Sequence, residues 1–245
     1  MRWHIFQAGL SQVDNLALSP KGELFATLEL NHGKGKLISI YDGKVTVLLH
    51  GLNRPDGLVF SRGKLYITEE IKQGRVLSYN LVTRKSRTLV RLDKPEGIAV
   101  LPDGSLLITE DKRDGRLLRL SPARQLTELV GGLSRPEGIG LGADGTVYIA
   151  ETSSGRVLAY KNGKINIVAD KLNEPDQLAT DKNGVLWIAE DADPGRILRV
   201  RNGKTETMIS GLASPPGMVF DSRGRLYVAE QGRNRILLIS FPGHK

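Results

Sequence analysis

The 245-residue sequence predicts an all-β protein, a six-bladed β-propeller with four antiparallel strands per blade, and three observations support this. A phrase of the form Leu-x-x-Pro-acid-Gly recurs every 39–42 residues, counted between positions 13, 55, 95, 136, 175 and 215. Each period holds four short β-rich runs separated by turn dipeptides, and no helix-period segment of useful length. A period of about 40 residues with four strands is typical of a propeller blade.

The recurring phrase is predicted to link one blade to the next and to begin the innermost strand. It is complete at 52–57, 92–97 and 133–138. Two copies vary it, with Gln177 in place of Gly and Pro216 in place of the acid. The copy at 10–15 is weaker and has Val13 where the others have Pro.

The other three strands follow in a fixed order. A tight turn such as Asp103-Gly104 leads to an alternating second strand such as 147–151. A loop ending in Gly-Arg leads to a third strand such as 157–160, and a further turn (42–43, 162–163 or 202–203) leads to a fourth, such as 165–168. Asn-Gly and Asp-Gly turns tolerate positive φ, so these runs are predicted to pair as antiparallel hairpins.

The two ends of the chain are predicted to close the ring. The last repeat is about ten residues short of a fourth strand, and the run 3–6 is a spare strand at the N-terminus. Pairing the two completes blade six and leaves no open sheet edge. We therefore expect a single domain over residues 1–245.

Composition narrows the function classes. The chain has no cysteine, which excludes disulfides, thiolate metal sites and cysteine nucleophiles. It has no 18-residue apolar run and no visible signal peptide, so we expect a cytoplasmic protein without a membrane span; a trimmed exported form would look the same. The net charge is +8, but aromatic residues make up only 5% and offer little stacking surface for nucleic acid. We expect a monomer with a small-molecule substrate.

Basic residues are frequent in the tight turns inside the hairpins, among them Lys21, Arg62 and Arg223. Because the innermost strand begins where the second strand ends, these turns share one end of the channel, which we call the lower face. The interblade links and the second-to-third loops share the other end, the upper face. The lower-face bases are interpreted as a solvated surface, with an anion-binding patch as the alternative.

One set of acids, which we call the outer set, ends the second strands: Glu69, Glu110, Glu151, Glu190 and Glu230. Each is followed, at the start of the third strand, by an arginine: Arg75, Arg116, Arg156, Arg196 and Arg235. Blade one lacks both partners, with Leu28 and Lys36 instead. This joint loss favours structural cross-strand ion pairs over catalysis.

A second set, the inner set, opens the innermost strands beside the channel: Asp14, Asp56, Glu96, Glu137 and Asp176. At about 8 Å and an effective dielectric constant of about 20, each pair of charges costs about 2 kcal/mol. Arg54, Lys94 and Arg135 stand two residues before three of these acids and are predicted to pair with them. Asp14 and Asp176 have no such base, so they are the best candidates to hold a hard cation. The alternative is that the acids cap nearby backbone amides.

His32 lies in the longest second-to-third loop, 29–34, on the upper face. A histidine above a polar channel could act as a general base or a metal ligand. A lone loop histidine is more often simply exposed.

Two resemblances bear on function. The segment 226–236, Leu-Tyr-Val-Ala-Glu-Gln-Gly-Arg-Asn-Arg-Ile, resembles an NHL repeat. The interblade phrases, above all Pro-Asp-Gln-Leu-Ala at 175–179 followed by 184–189, resemble the senescence marker protein/gluconolactonase family. In that family a divalent cation, often calcium, is held at the channel mouth by a Glu of blade one and an Asp of blade five. Those positions hold Asp14 and Asp176 here. The chain departs from the family with Glu96 and Glu137 where Asn is frequent.

Three functions follow as hypotheses. The first is a metal-dependent hydrolase of lactone or ester-like small molecules, with calcium as the first candidate metal and zinc or manganese as alternatives. Its predicted metal ligands are Asp14, Glu137 and Asp176; its predicted catalytic residues are Asp176 and His32; its predicted substrate-binding residues are Asp56, Glu96 and Arg135. The second is a non-catalytic NHL-type binding module for protein or nucleic acid. The third is an enzyme similar to the streptogramin lyases, which use histidines near the channel, a role that only His32 could match.

Overall fold

The computed structural model describes residues 1–201 and 203–241, which form six four-stranded antiparallel sheets, the blades of a propeller. The predicted turn at 202–203 includes Asn202, which lies outside the described residues. No helix in the two described ranges has the length and apolar character needed to cross a membrane.

The strands run in chain order from β1 (Arg2–Ala8). Blade one contains β2 (Val13–Leu18), β3 (Leu24–Leu28), β4 (Gly35–Tyr41) and β5 (Lys44–Leu52). Blade two contains β6 (Pro55–Ser61), β7 (Lys64–Glu69), β8 (Gly74–Asn80) and β9 (Lys85–Leu92). Blade three contains β10 (Pro95–Val100), β11 (Leu106–Glu110), β12 (Gly115–Leu120) and β13 (Leu126–Leu133).

Blade four contains β14 (Pro136–Leu141), β15 (Val147–Glu151), a 3-10 turn (Thr152–Ser154), β16 (Arg156–Lys161) and β17 (Lys164–Ala169). Blade five contains β18 (Pro175–Thr180), β19 (Leu186–Glu190), β20 (Gly195–Arg201) and β21 (Lys204–Leu212). Blade six contains β22 (Met218–Phe220), β23 (Leu226–Glu230), a 3-10 turn (Gln231–Arg233) and β24 (Arg235–Ser240), and it is completed by β1.

The predicted closure of the ring is confirmed. Strand β1 pairs antiparallel with β24, with Trp3 opposite Ile239 and Ala8 opposite Arg235. Strand β22 is shorter than the other innermost strands, and the recurring phrase that leads into it alone carries a second proline, Pro216, which has no N–H to donate to a ladder.

The apolar core lies between the faces of neighbouring blades. Ala17 and Phe25 of blade one pack with Leu58 and Ile67 of blade two, for example. Burial of such faces is the main stabilising contribution to a propeller, because each blade covers its neighbours.

The glycine of the recurring phrase lets the innermost strands approach one another. A Cβ on Gly57 would collide with the carbonyl oxygen of Glu96 in the next blade, and one on Gly97 would collide with that of Glu137. Larger residues stand in this position only in blades one and five, as Asn15 and Gln177. This close approach gathers the inner set around the channel axis.

Candidate functional site

The outer set forms the ion pairs that its spacing predicts. Arg75 Nε lies 2.5 Å from Glu69 Oε2, and the other four blades with this pair repeat the contact. Each of these glutamates also accepts a backbone N–H from the link that enters its blade, as Glu69 Oε1 does from Asn53 at 2.8 Å. The outer set therefore ties the second strand to the link and belongs to the scaffold.

The inner set lies at the start of β2, β6, β10, β14 and β18, and all five side chains are buried. Burial, and then repulsion from neighbouring carboxylates, raises the pKa of Asp14, Asp56, Glu96 and Asp176 well above the ordinary range. Burial also raises the pKa of Glu137 to about 8. The five acids therefore oppose ionisation as a group unless positive charge reaches them.

The bases that precede the inner set mostly do not supply that charge. Arg54 Nη2 lies 2.6 Å from Glu29 Oε1 and 2.5 Å from Glu70 Oε2, and Lys94 Nζ lies 3.2 Å from Glu70 Oε1. The prediction that Arg54 pairs with Asp56, and Lys94 with Glu96, is therefore wrong. Both residues have positive φ, 45° and 51°, so the link is not extended at either residue and the geometry assumed by the prediction does not occur there.

Arg135 is the base that does contact the inner set. Its Nη2 lies 2.9 Å from Glu137 Oε1, and its Nε lies 2.7 Å from Asp111 Oδ1. Glu137 also accepts a hydrogen bond from the Thr152 hydroxyl. Among the five acids, Glu137 is thus the one with a direct cationic partner in the described ranges.

A third ring of side chains, which sequence reasoning missed, lies on the upper face. This upper set directly follows the second strands: Glu29, Glu70, Asp111, Thr152, Asp191 and Gln231. Each donates its backbone N–H to the carbonyl of the link residue two positions before the inner set, at 2.7–3.1 Å. One sequence pattern could have revealed this upper set. In three of the five blades that carry an outer-set glutamate, the residue directly after that glutamate is also an acid.

Amides fix one side of the inner set. Asn15 Nδ2 donates to Asp14 Oδ1 at 3.2 Å and to Asp56 Oδ1 at 3.1 Å. Gln177 donates to Asn15 Oδ1, and Gln231 Nε2 donates to Asp14 Oδ2 at 3.1 Å. Capping of backbone amides, the alternative role for these acids, does not account for these contacts.

Glu96 and Asp176 differ from the other inner acids. No donor within residues 1–201 or 203–241 gives a hydrogen bond to either carboxylate, although only 5% and 9% of these residues are exposed. Both line a small chamber of about 10 Å³ on the channel axis, together with Asp56, Asn15 and Gln177. A space of that size holds about one water-sized particle.

Carboxylate oxygens converge in three groups, each within 4.8 Å: Asp14, Glu29 and Asp56; Asp56, Glu70 and Glu96; Glu96, Glu137 and Asp176. Of the predicted metal ligands, Glu137 and Asp176 share the third group, whereas Asp14 belongs to the first. A set of oxygen ligands that includes carboxylates without a hydrogen-bond donor among the described residues fits a hard divalent cation such as calcium.

His32 lies apart from these carboxylates. It is exposed, and its backbone N–H donates to Asn53 Oδ1 at 2.9 Å. Its side chain contacts none of the inner set as far as the described residues show. Its part in proton transfer stays a prediction.

Comparison with solved structures agrees with this fold. A gluconolactonase of Xanthomonas campestris superposes with a TM-score of 0.84 at 18% identity, covering 98% of this chain and 90% of that one. A streptogramin B lyase superposes with a TM-score of 0.75 at 17% identity, covering 98% of this chain and 97% of that one. Virginiamycin B lyase of Staphylococcus aureus superposes with a TM-score of 0.73 at 18% identity, covering 98% of this chain and 86% of that one. No protein-family model and no curated protein sequence matches the chain. At these identities the likeness establishes a shared six-bladed fold.

Proposed function

We propose that the protein is a metal-dependent hydrolase of lactone or ester-like small molecules, acting at the upper mouth of the channel. The observation that carries the proposal is the pair of buried carboxylates, Glu96 and Asp176, which accept no hydrogen bond from any described residue and line one small chamber. Burying an unpaired ionised carboxylate costs several kcal/mol. A bound cation would offset that cost.

Glu96, Glu137 and Asp176 would hold the cation, since one oxygen of each lies within 4.8 Å of the others. Asp14, the further ligand expected from sequence, belongs to a group that shares no carboxylate with these three. Carboxylate oxygens favour calcium, with manganese as an alternative, whereas zinc sites draw mainly on histidine and cysteine. The likeness to a gluconolactonase supports the reaction class.

A bound divalent cation supplies Lewis-acid polarisation of a carbonyl oxygen. The residues of the chain do the remaining work. Asp176 would accept the proton of the water that adds to the carbonyl carbon and return it to the ring oxygen as the ring C–O bond breaks, which gives a hydroxy acid. Arg135, which is half exposed at the mouth, can donate to the substrate while Asp111 holds its guanidinium. Burial of the inner set limits competing water.

The test is lactone hydrolysis with calcium, manganese and zinc, before and after chelation. We expect chelation to abolish activity, and Glu96→Gln and Asp176→Asn to reduce it at least about 100-fold. The matched control is Glu206→Gln, an exposed acid paired with Arg199, which should keep full activity. Equal rates with and without chelator would contradict the proposal.

A lyase is the second candidate, because two of the similar structures are a streptogramin B lyase and a virginiamycin B lyase. The two chemistries leave different products. Hydrolysis in ¹⁸O-labelled water places the label in the product acid, whereas elimination forms a carbon–carbon double bond and takes up no label. Label in the acid supports the hydrolase and excludes the lyase for that substrate.

A further inference from the structure

We propose a second ligand site at the opposite, lower end of the channel, for an organic anion that carries its charge at one end of an apolar body. The site is separate from the carboxylate rings and goes beyond the proposed hydrolysis. It consists of two adjoining cavities, which we call the axial cavity and the side cavity.

The axial cavity has a volume of about 360 Å³ and is enclosed by all six innermost strands. Its wall includes one buried apolar residue from each of them: Leu16, Leu58, Ile98, Ile139, Leu178 and Met218. The side cavity, of about 460 Å³, shares Leu18, Phe60 and Phe220 with it. Both volumes lie in the range of small-molecule sites.

The shared aromatic rings are held in place by the core. Phe60 stacks on Phe25 with ring centroids 6.0 Å apart, and Phe220 meets Trp187 edge-on at 5.2 Å. A wall fixed by packing is already formed before a ligand arrives. Binding an apolar body there would therefore require little reordering.

The open side of the side cavity is positively charged. Lys21, Arg223 and Arg225 line it. Asp221 offsets Arg225, since Arg225 Nε lies 2.7 Å from Asp221 Oδ2. Lys21 and Arg223 are exposed, and neither side chain contacts a carboxylate within the described ranges, although the backbone N–H of Arg223 donates to Asp221 Oδ1. Two unopposed cations beside an apolar wall are complementary to an amphiphilic anion.

A side-chain contact separates this site from the upper one. Gln177 lines both the axial cavity and the small chamber above it, and it is hydrogen-bonded to Asn15 across the channel. A ligand in the lower cavities is thus kept from the inner set. Its binding should be independent of divalent cations.

The experiment is calorimetric titration with 2-naphthoate, with 2-naphthol as the uncharged counterpart. We expect naphthoate to bind with a dissociation constant below about 1 mM. The variant Lys21→Gln/Arg223→Gln should weaken naphthoate about tenfold and leave naphthol unchanged. The control Lys44→Gln/Arg84→Gln removes two exposed lower-face charges outside both cavities and should bind within about twofold of wild type.

Three results would overturn the inference: no saturation by naphthoate, equal weakening in both double variants, or loss of binding in Asp176→Asn. The last would place the ligand at the upper mouth. Because chelation addresses the hydrolase alone and Lys21→Gln/Arg223→Gln addresses the lower site alone, failure of one proposal leaves the other standing.

Discussion

The side-chain amide of Gln177 donates a hydrogen bond to Asn15 Oδ1, which joins blade five to blade one across the channel axis. Asn15 in turn donates to Asp14 and Asp56. These two amides occupy the position at which the other four blades carry glycine. The same substitution that breaks the repeat thus builds the floor of the candidate cation site.

Replacing Gln177 by Ala removes the donor to Asn15 Oδ1, while Asn15 Nδ2 still donates to Asp14 and Asp56. We expect the protein to lose about 1 kcal/mol of stability, the usual net contribution of a hydrogen bond, and to bind calcium several-fold more weakly. Thermal unfolding and calcium calorimetry measure the two effects. The control is Gln7→Ala, since the Gln7 side chain donates to the carbonyl of Ala8 and contacts no inner-set acid within the described residues. Unchanged calcium affinity in Gln177→Ala would show that Asn15 needs no support.

The pKa values predict how the metal-free protein responds to pH. Burial raises the pKa of Glu137 to about 8 and that of Asp191 to about 6, both above their unfolded values. Stability from such groups is fully present below the unfolded pKa, near 4, and is lost as pH rises through the folded pKa. The melting temperature in chelator should therefore fall between about pH 5 and pH 8.

Calcium should reverse this loss, since a cation favours the ionised carboxylates, and its stabilising effect should grow with pH. Asp111 and Glu110 have lowered pKa values, so their effect on stability falls at acid pH, below the range in which Glu137 and Asp191 lose their protons. A melting temperature that is flat or rising between about pH 5 and pH 8 in chelator would contradict the assignment.

Glu174 interrupts a belt of ion pairs on the upper face. Arg54, Lys94 and Arg135 hold the equivalent link position in blades two to four. Arg54 and Lys94 each join two acids of the upper set, whereas Arg135 joins Asp111 of that set to Glu137 of the inner set. In blade five the position is Glu174. Burial raises the pKa of Asp191, the charge of Glu174 raises it further, and Asp191 Oδ1 is buried with no hydrogen-bond partner among the described residues.

Glu174→Arg should extend the belt, because position 174 has the same positive φ as the three bases. We expect the pKa of Asp191 to fall below 6 and the variant to gain up to about 1 kcal/mol at neutral pH. Carbon-13 NMR titration of Asp191 and thermal unfolding report the two changes. The control Glu23→Arg makes the same charge change on the lower face. It should neither lower the pKa of Asp191 nor raise the stability of the protein. Lower stability of Glu174→Arg at neutral pH would contradict the claim that an arginine at position 174 extends these ion pairs.

The outer set offers a contrasting prediction. Glu190→Ala leaves the Arg196 guanidinium and the Asn173 N–H without their acceptor, so we expect a loss of about 2 kcal/mol in unfolding free energy. Calcium affinity should be measured at a temperature where the variant is folded. It should stay within about twofold of wild type, because Glu190 is not among the described residues that line the small chamber. A collapse of calcium affinity would move the outer set into the site.

Repetition explains which features could be predicted from sequence. The blade count, the closing strand at Trp3 and the Glu–Arg pairs recur or fill a gap in a period, so comparing copies reveals them. The left-handed backbone at Arg54 does not follow from residue type, because arginine rarely signals positive φ. With that backbone, Arg54 and Lys94 pair with acids of the upper set. Arg135 has the same backbone and also contacts Glu137, so the backbone alone does not determine the partner. Glu70 was overlooked because it follows the more regular Glu69.

Calcium titration into metal-free protein near pH 8 tests the central claim most directly. Wild type should bind about one ion per chain, while Glu96→Gln and Asp176→Asn should bind at least about tenfold more weakly, since each removes a charged oxygen ligand. Absence of calcium binding by wild type, or unchanged affinity in both variants, would contradict a cation site built on Glu96, Glu137 and Asp176.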